Sequence, residues 1–217
     1  VSIEAHKCTG TREKVLATAS EVFAEKGFRR ATVRQIAARA GVNLNAVNYH
    51  FGDKEGLYRA VIESAHQAAS EGETMEPFGD RRLPPEERLR GFIAAFLRRA
   101  LATHRASHVA RLMAMGIIEP TEALDVVVDK FVRPRFELLC GVIRELTAGR
   151  LPPRQVRSCA QSIVAQCIHF AHARPIISRL LPELEYTADG VERMAEHVAR
   201  FSLAALAHLR TNGEAAK

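Results

Sequence analysis

The chain has no tryptophan, only three tyrosines and only four cysteines among its 217 residues. Its longest apolar runs are no longer than Gly91 to Leu97, far short of the roughly 18 residues that a membrane span needs, so no membrane partner is expected. The first residues, Val-Ser-Ile-Glu-Ala-His-Lys, lack the basic-then-apolar pattern of a secretory leader. The cysteines stand at 8, 140, 159 and 167 without a Cys-x-x-Cys pair, which suits neither a disulfide framework nor a zinc site. A reducing, cytoplasmic setting is the natural expectation. Phosphate-cradling loops, the nucleophile-elbow pattern Gly-x-Ser-x-Gly and dinucleotide fingerprints are also missing. No enzyme and no cofactor is therefore expected.

Strand-like alternation is absent too, and apolar residues recur at three and four, the helical period. This predicts an all-α protein of about nine helices. The first runs from about Arg12 to Lys26, with Thr11 as its N-cap and Gly27 as its stop. Two short helices follow, 33–40 capped by Thr32 and 44–50 capped by Asn43, and Gly41 stands between them. Asp53 opens a fourth helix reaching about Ala69. Residues 70–85, rich in Pro and Gly, read as a linker, so the predicted domains are 1–70 and 71–217. Later helices are predicted near 86–103, 107–118, 122–148, 153–173 and 188–211, the third of these kinked or broken at Pro134.

The pair of short helices around Ala40-Gly41-Val42-Asn43 is a helix-turn-helix pattern. Ile36, Ala37, Val42, Val47 and Phe51 are expected to pack with Val22 and Phe23, leaving Asn43, Leu44, Asn45, Asn48 and Tyr49 outward. Residues 29–54 hold five basic side chains (Arg29, Arg30, Arg34, Arg39, Lys54) and one acidic (Asp53), 5 − 1 = +4 of a total of +6. Asparagine amides match adenine edges, and Tyr or His at the helix end reaches phosphates. These cues point to double-stranded DNA, although a solvated basic face on a structural bundle would read alike.

The stretch from Thr11 to Arg59, with Ala24-Glu25-Lys26-Gly27-Phe28, Ala31-Thr32-Val33-Arg34-Gln35-Ile36-Ala37, Ala40-Gly41-Val42 and Tyr49-His50-Phe51-Gly52-Asp53-Lys54-Glu55-Gly56-Leu57, closely resembles the DNA-binding domain of TetR/AcrR-type transcriptional regulators. The run Asn43 to Tyr58 looks most like the branch with a CerR/CecR-type C-terminal domain. The resemblance implies that Thr32 and Arg34 hold phosphate, that Asn43, Leu44, Asn45 and Asn48 face bases, and that Tyr49, His50 and Lys54 grip the backbone. Leu44 and Asn48 depart from the residues common among relatives, so base preference does not carry over. A homodimeric repressor on a palindromic operator, released by a small-molecule effector, is the implied function.

Two later stripes have wide apolar faces: Val156, Ala160, Ile163, Val164, Cys167 and Ala171, and Val191, Met194, Ala195, Val198, Phe201, Ala205 and Leu209. Periodicity alone leaves them as either a core or a dimer interface. The resemblance implies dimerisation through the last two long helices. It also implies an effector pocket, for which Phe92, Phe96, Met113, Met115, Phe131, Arg135, His169, His172 and Arg179 are the candidates, with Arg135 as the anion anchor.

Other functional classes stay open at this point. Glu63-x-x-His66 is half of a di-iron pattern with no second half in the sequence. Cys167, His169 and His172 could form a metal or redox sensor, but residues 167 and 169 project about 200° apart on a helix. A helical adaptor with a basic face for protein contacts is the remaining alternative.

Overall fold

A computed structural model describes the backbone of residues 2–71, 78–101 and 121–212, with side chains except at 2–9, 66, 68–71 and 212. Every regular element among these residues is helical. None of the helices is long and apolar enough to cross a membrane. The chain divides into two compact units, residues 1–71 with 104–132, and residues 72–103 with 133–217.

In the first unit, α1 (Ser2–Arg30) begins ten residues earlier than predicted, so Thr11 lies inside the helix rather than capping it. Nothing upstream breaks it: residues 2–9 contain no proline or glycine and several good helix formers. Gly27 does interrupt it, at φ 74°, and one further turn follows the kink. Helices α2 (Val33–Ala40) and α3 (Leu44–Phe51) fall where the sequence puts them. The Thr32 hydroxyl accepts from the Gln35 N–H at 3.2 Å, and the Asn43 amide oxygen accepts from the Asn45 N–H at 2.9 Å. Gly41 adopts the left-handed conformation (φ 63°, ψ 39°), and the N–H groups of Gly41 and Val42 close onto the carbonyls of Ala38 and Ala37. A side chain at this φ is strained, and the closing bonds fix the angle at which α3 leaves α2. Helix α4 (Lys54–Glu71) starts with the Asp53 carboxylate accepting from the Gly56 N–H at 2.8 Å.

Val15, Val22, Phe23, Ile36, Val47, Leu57 and Val61 fill this unit's core, with Phe23 edge-on to Tyr58 at 4.9 Å between ring centroids. Val42 and Phe51, predicted to be buried, are only half-buried and pack against its rim. A later segment, α6 (Glu122–Val127), adds Ala123 and Val127 to the same core. The predicted single helix 122–148 is thus divided. A π turn, Val128–Val132, follows α6, and α7 (Arg133–Leu146) begins one residue before Pro134. Proline lacks the N–H that would continue the ladder and crowds the turn before it, which explains the break.

The second unit contains α5 (Pro85–Leu101), α7, α8 (Pro153–His172), α9 (Arg174–Leu180) and α10 (Ala188–Asn212). Helix α5 packs against α7, α8 and α10. Its core holds Leu89, Ile93, Leu97, Leu139, Ile143, Val156, Ala160 and Val198. Arg98 bonds Glu192 at 2.8 Å, and Arg90 pairs with Glu196, so polar clamps flank the apolar contact of α5 with α10. The short helix α9 was not expected; Pro175 in its first turn is a helix-starting position, since no N–H is needed there. The predicted helix at 107–118 lies outside the described residues.

Candidate nucleic-acid interface

Helix α3 is eight residues long, about 12 Å at 1.5 Å per residue, and turns one side to the core and one outward. Val47 is buried, while Asn45, Asn48 and Tyr49 are exposed at spacings of three and four, forming one outer row. Tyr49 is 83% exposed, the most open of the large hydrophobic side chains among the described residues. Its ring meets His50 edge-on at 5.3 Å, and half-buried His50 leans on Phe51. Nothing in the fold requires Tyr49 to point outward. A large ring left in water is a contact surface waiting for a partner.

The other predicted contacts divide into two groups. Thr32 and Arg34 are exposed at the start of α2, and Asn43 is exposed at the start of α3. The Thr32 and Asn43 oxygens already accept from their own helix ends, so their remaining hydrogen-bonding capacity faces solvent. Leu44 differs from expectation. It is half-buried and packs against the first unit's core. Lys54 is half-buried as well: its ammonium donates to the Arg29 carbonyl at 3.2 Å and sits 4.5 Å from the Phe28 ring centroid. This lysine braces the end of α1 against the start of α4, a role that spacing did not suggest.

The electrostatic surface is also narrower than the count of basic residues implied. Arg39 is held by Glu25 at 2.9 Å and Glu21 at 3.0 Å, and hydrogen bonding to Glu25 raises its already high pKa. Both acids lie on α1, outside the 29–54 window, and only the tertiary fold brings them to Arg39. Arg12 lies 5.5 Å from the Phe51 ring centroid, which brings a cation from α1 to the end of α3. Sequence reasoning missed this residue because its partner is thirty-nine positions away.

The predicted dimerisation stripes are divided between the core and the surface. Val156, Ala160, Ile163, Cys167, Val191, Met194 and Val198 are buried in the core of their own chain, and Val164 is half-buried against it. These side chains are enclosed within their own chain, while other members of the same stripes face outward. Phe201 and Ala205 remain exposed, and Leu209 is half-buried. The large exposed apolar side chains of this unit, among the described residues, are Ile168, Ile176, Leu180, Leu181 and Phe201.

The predicted effector residues are distributed over both units. Phe92 is buried, its ring tilted against Phe78 at 4.7 Å and Phe96 at 6.2 Å, as part of the second unit's core. Phe131 belongs to the π turn of the first unit, and Arg135 is half-buried on α7. His169, His172 and Arg179 are exposed, and the Arg179 guanidinium bonds the Pro175 carbonyl of its own helix. Met113 and Met115 lie outside the described residues. Of the metal alternatives, Glu63 is ion-paired with Lys130 at 3.0 Å, and Cys167 is buried whereas His169 and His172 are exposed. Cys140, Cys159 and Cys167 are free thiols.

Comparison with known proteins agrees with the helix-turn-helix geometry. Residues 15–61 match the model of bacterial regulatory proteins of the tetR family, and residues 85–206 match that of the C-terminal domain of the HTH-type transcriptional dual regulator CecR. The HTH-type transcriptional dual regulator CecR of Shigella flexneri is 27% identical over 144 residues, 63% of this chain and 64% of that protein. The HTH-type transcriptional repressor BepR of Brucella suis is 40% identical over 55 residues, 25% of this chain and 26% of that protein. Matches to several curated repressors thus span only about a quarter of their length. The haemolysin II transcriptional regulator HlyIIR superposes with a TM-score of 0.61 at 21% identity, over 88% of this chain and 97% of that one. A putative transcriptional regulator from Pseudomonas aeruginosa PAO1 gives 0.64 at 21% identity, over 91% and 92%. A helix-turn-helix unit followed by a CecR-type helical domain covering more than half of its length makes this chain a member of the tetR family of bacterial regulatory proteins.

Proposed function

We propose that the chain is a ligand-responsive transcriptional repressor that binds a palindromic operator as a homodimer. DNA reading is assigned to residues 1–70, and pairing and effector response to residues 71–217. The observation that carries this reading is the outer row Asn45, Asn48 and Tyr49 on a helix whose opposite side is locked into the core by Val47. A short helix with amide side chains outward and positive charge at its flanks suits the major groove, where amides read bases and a phenol reaches phosphate. One such helix covers too few base pairs for specificity, and two copies related by a twofold axis double the site.

Pairing is assigned to the apolar side chains left in water on α8, on α9 and just past its end, namely Ile168, Ile176, Leu180 and Leu181. Exposed apolar groups close in sequence are the usual mark of a face that a second copy covers. An effector changes DNA affinity only by binding the competent and incompetent conformations unequally.

Fluorescence anisotropy with a duplex carrying the chain's own selected sequence, titrated at several salt concentrations, tests the reading. Affinity is expected to fall steeply with salt, because neutralised phosphates release counterions. Tyr49→Ala should weaken binding to all duplexes alike, and Asn48→Ala should alter which sequence is preferred. Equal affinity of all three proteins for every duplex would contradict it.

A further inference from the structure

The fold withdraws two of the cations counted around the helix-turn-helix. Arg39 is held by Glu21 and Glu25, and the Lys54 ammonium turns onto the Arg29 carbonyl and the Phe28 ring. It supplies two others from α1, both upstream of residues 29–54. The Arg12 guanidinium lies over the ring of Phe51, the last residue of α3, at 5.5 Å from the centroid. The Lys14 ammonium reaches the other end. A Cβ placed on Gly41, in the turn that leads into α3, would meet Lys14 Nζ at 3.8 Å.

The sequence of α1 dictates this placement. Val15, Ala19 and Val22 form its buried stripe. At about 100° per residue, Arg12 and Lys14 project on opposite sides of that stripe, while the exposed acid between them, Glu13, points away from it. Arg12 and Lys14 are both exposed, and neither is ion-paired among the described residues. A guanidinium resting over a ring uses its flat face, and its N–H donors, which lie in its plane, stay available. The lysine ammonium is a compact point charge on a flexible stem. Both cations stand at the ends of α3 rather than within its outer row of Asn45, Asn48 and Tyr49. A charge outside that row has no base edge to read. It suits instead the phosphates that border the major groove on both sides, about 12 Å apart.

We propose that α1 takes part in duplex binding, with Arg12 and Lys14 each neutralising a backbone phosphate, one near each end of α3. These contacts add affinity and orientation but carry no sequence information. The assignment rests on the proposed reading of DNA through α3 and adds to it a helix in which neither residue spacing nor the local count of charge marks a contact.

The test measures binding of the full chain to its selected duplex and to a scrambled one by fluorescence anisotropy across salt concentrations. The native chain is compared with Arg12→Gln, Lys14→Gln, Arg12→Lys and Arg81→Gln. Glutamine keeps helix propensity and removes the charge. Each of the two glutamine variants on α1 should bind both duplexes about five-fold more weakly at low salt. Each should also flatten the slope of log affinity against log salt by about 0.9 per bound copy. Arg12→Lys should keep the native slope, and Arg81→Gln, which removes an exposed cation of the second unit, should change nothing. A native slope in both α1 glutamine variants, or the same loss in Arg81→Gln, would overturn the proposal. A loss confined to the selected duplex would overturn it too, by marking a base contact. So would a loss in Arg12→Gln that comes with a lower thermal midpoint and that Arg12→Lys fails to restore, since the arginine would then only brace Phe51. If the native chain binds with a steep salt dependence that the variants share, only the α1 assignment falls. If the native chain binds neither duplex, the reading through α3 falls with it.

Discussion

The Lys54 ammonium donates to the carbonyl of Arg29 at 3.2 Å while resting over the Phe28 ring. It therefore closes the gap between the kinked end of α1 and the first turn of α4, the two helices that flank the helix-turn-helix. Replacement by methionine keeps most of the apolar stem and removes the donor and the charge. Lys54→Met should lower the stability of the first unit by about 1 kcal/mol, from one charge-assisted hydrogen bond and one partly exposed cation–π contact. Urea denaturation followed by tyrosine fluorescence checks this. An unchanged midpoint combined with weaker DNA binding would mean that the lysine serves the phosphate backbone instead.

Arg88 is a buried cation of the second unit, 3% exposed. It bonds Glu145 at 2.7 Å and the Phe78 carbonyl at 3.3 Å, joining α5 to α7 and to the turn before α5. Glu145→Gln leaves the guanidinium enclosed without its counter-charge, and a loss of about 2 kcal/mol is expected, less than for a fully buried pair because the glutamate is half in solvent. Arg88→Leu should cost less than Glu145→Gln, because it removes the buried charge itself. The reverse ranking in denaturant midpoints would contradict this description.

Burial pushes the Cys167 thiol up to about 12, from an ordinary value near 9. The protonated form is thus favoured in the folded chain. Its contribution to stability is full below pH 9 and falls as pH rises from about 9 towards 12, where the unfolded chain ionises first. At pH 8 the native thiol should react with a disulfide reagent at least about a hundred-fold more slowly than in urea. Mass spectrometry of the labelled peptides reads this directly. Equal rates would show that the thiol reaches solvent, and would restore the redox-sensor alternative.

Ile176 and Leu180, 69% and 73% exposed, lie one helical turn apart on α9. The double substitution Ile176→Ser, Leu180→Ser should shift a dimer to monomer in sedimentation at micromolar concentration while leaving helix content unchanged. A dimer that survives the change would move the pairing surface elsewhere on the molecule.

Local signals carried the reading of α2 and α3. Thr32, Gly41, Asn43 and Asp53 each act on residues within a few positions, so their spacing alone defines the turn and the ends of both helices. The break near Pro134 was legible for the same reason, because proline acts on the turn before it. What the sequence could not disclose was ownership. The stripe containing Val156, Ile163 and Cys167 says that one side of α8 is covered, but the same period describes a cover from the same chain or from another. Likewise, a window around the helix-turn-helix counts Arg39 as free charge, whereas Glu21 and Glu25 arrive from a helix upstream. Lys54 and Leu44 read as surface by position, and both turned inward because neighbours distant in sequence, Phe28 with Arg29 and the first unit's core, offered better partners than water.

The most direct test of DNA reading through α3 is selection of duplexes from a random pool by the full chain, repeated with the Asn45→Ala, Asn48→Ala double variant. The native chain should enrich an inverted repeat whose half-sites lie about one helical turn apart, and the variant should enrich a different or degenerate half-site. A pool that the native chain leaves unenriched, or an identical motif from both proteins, would contradict it.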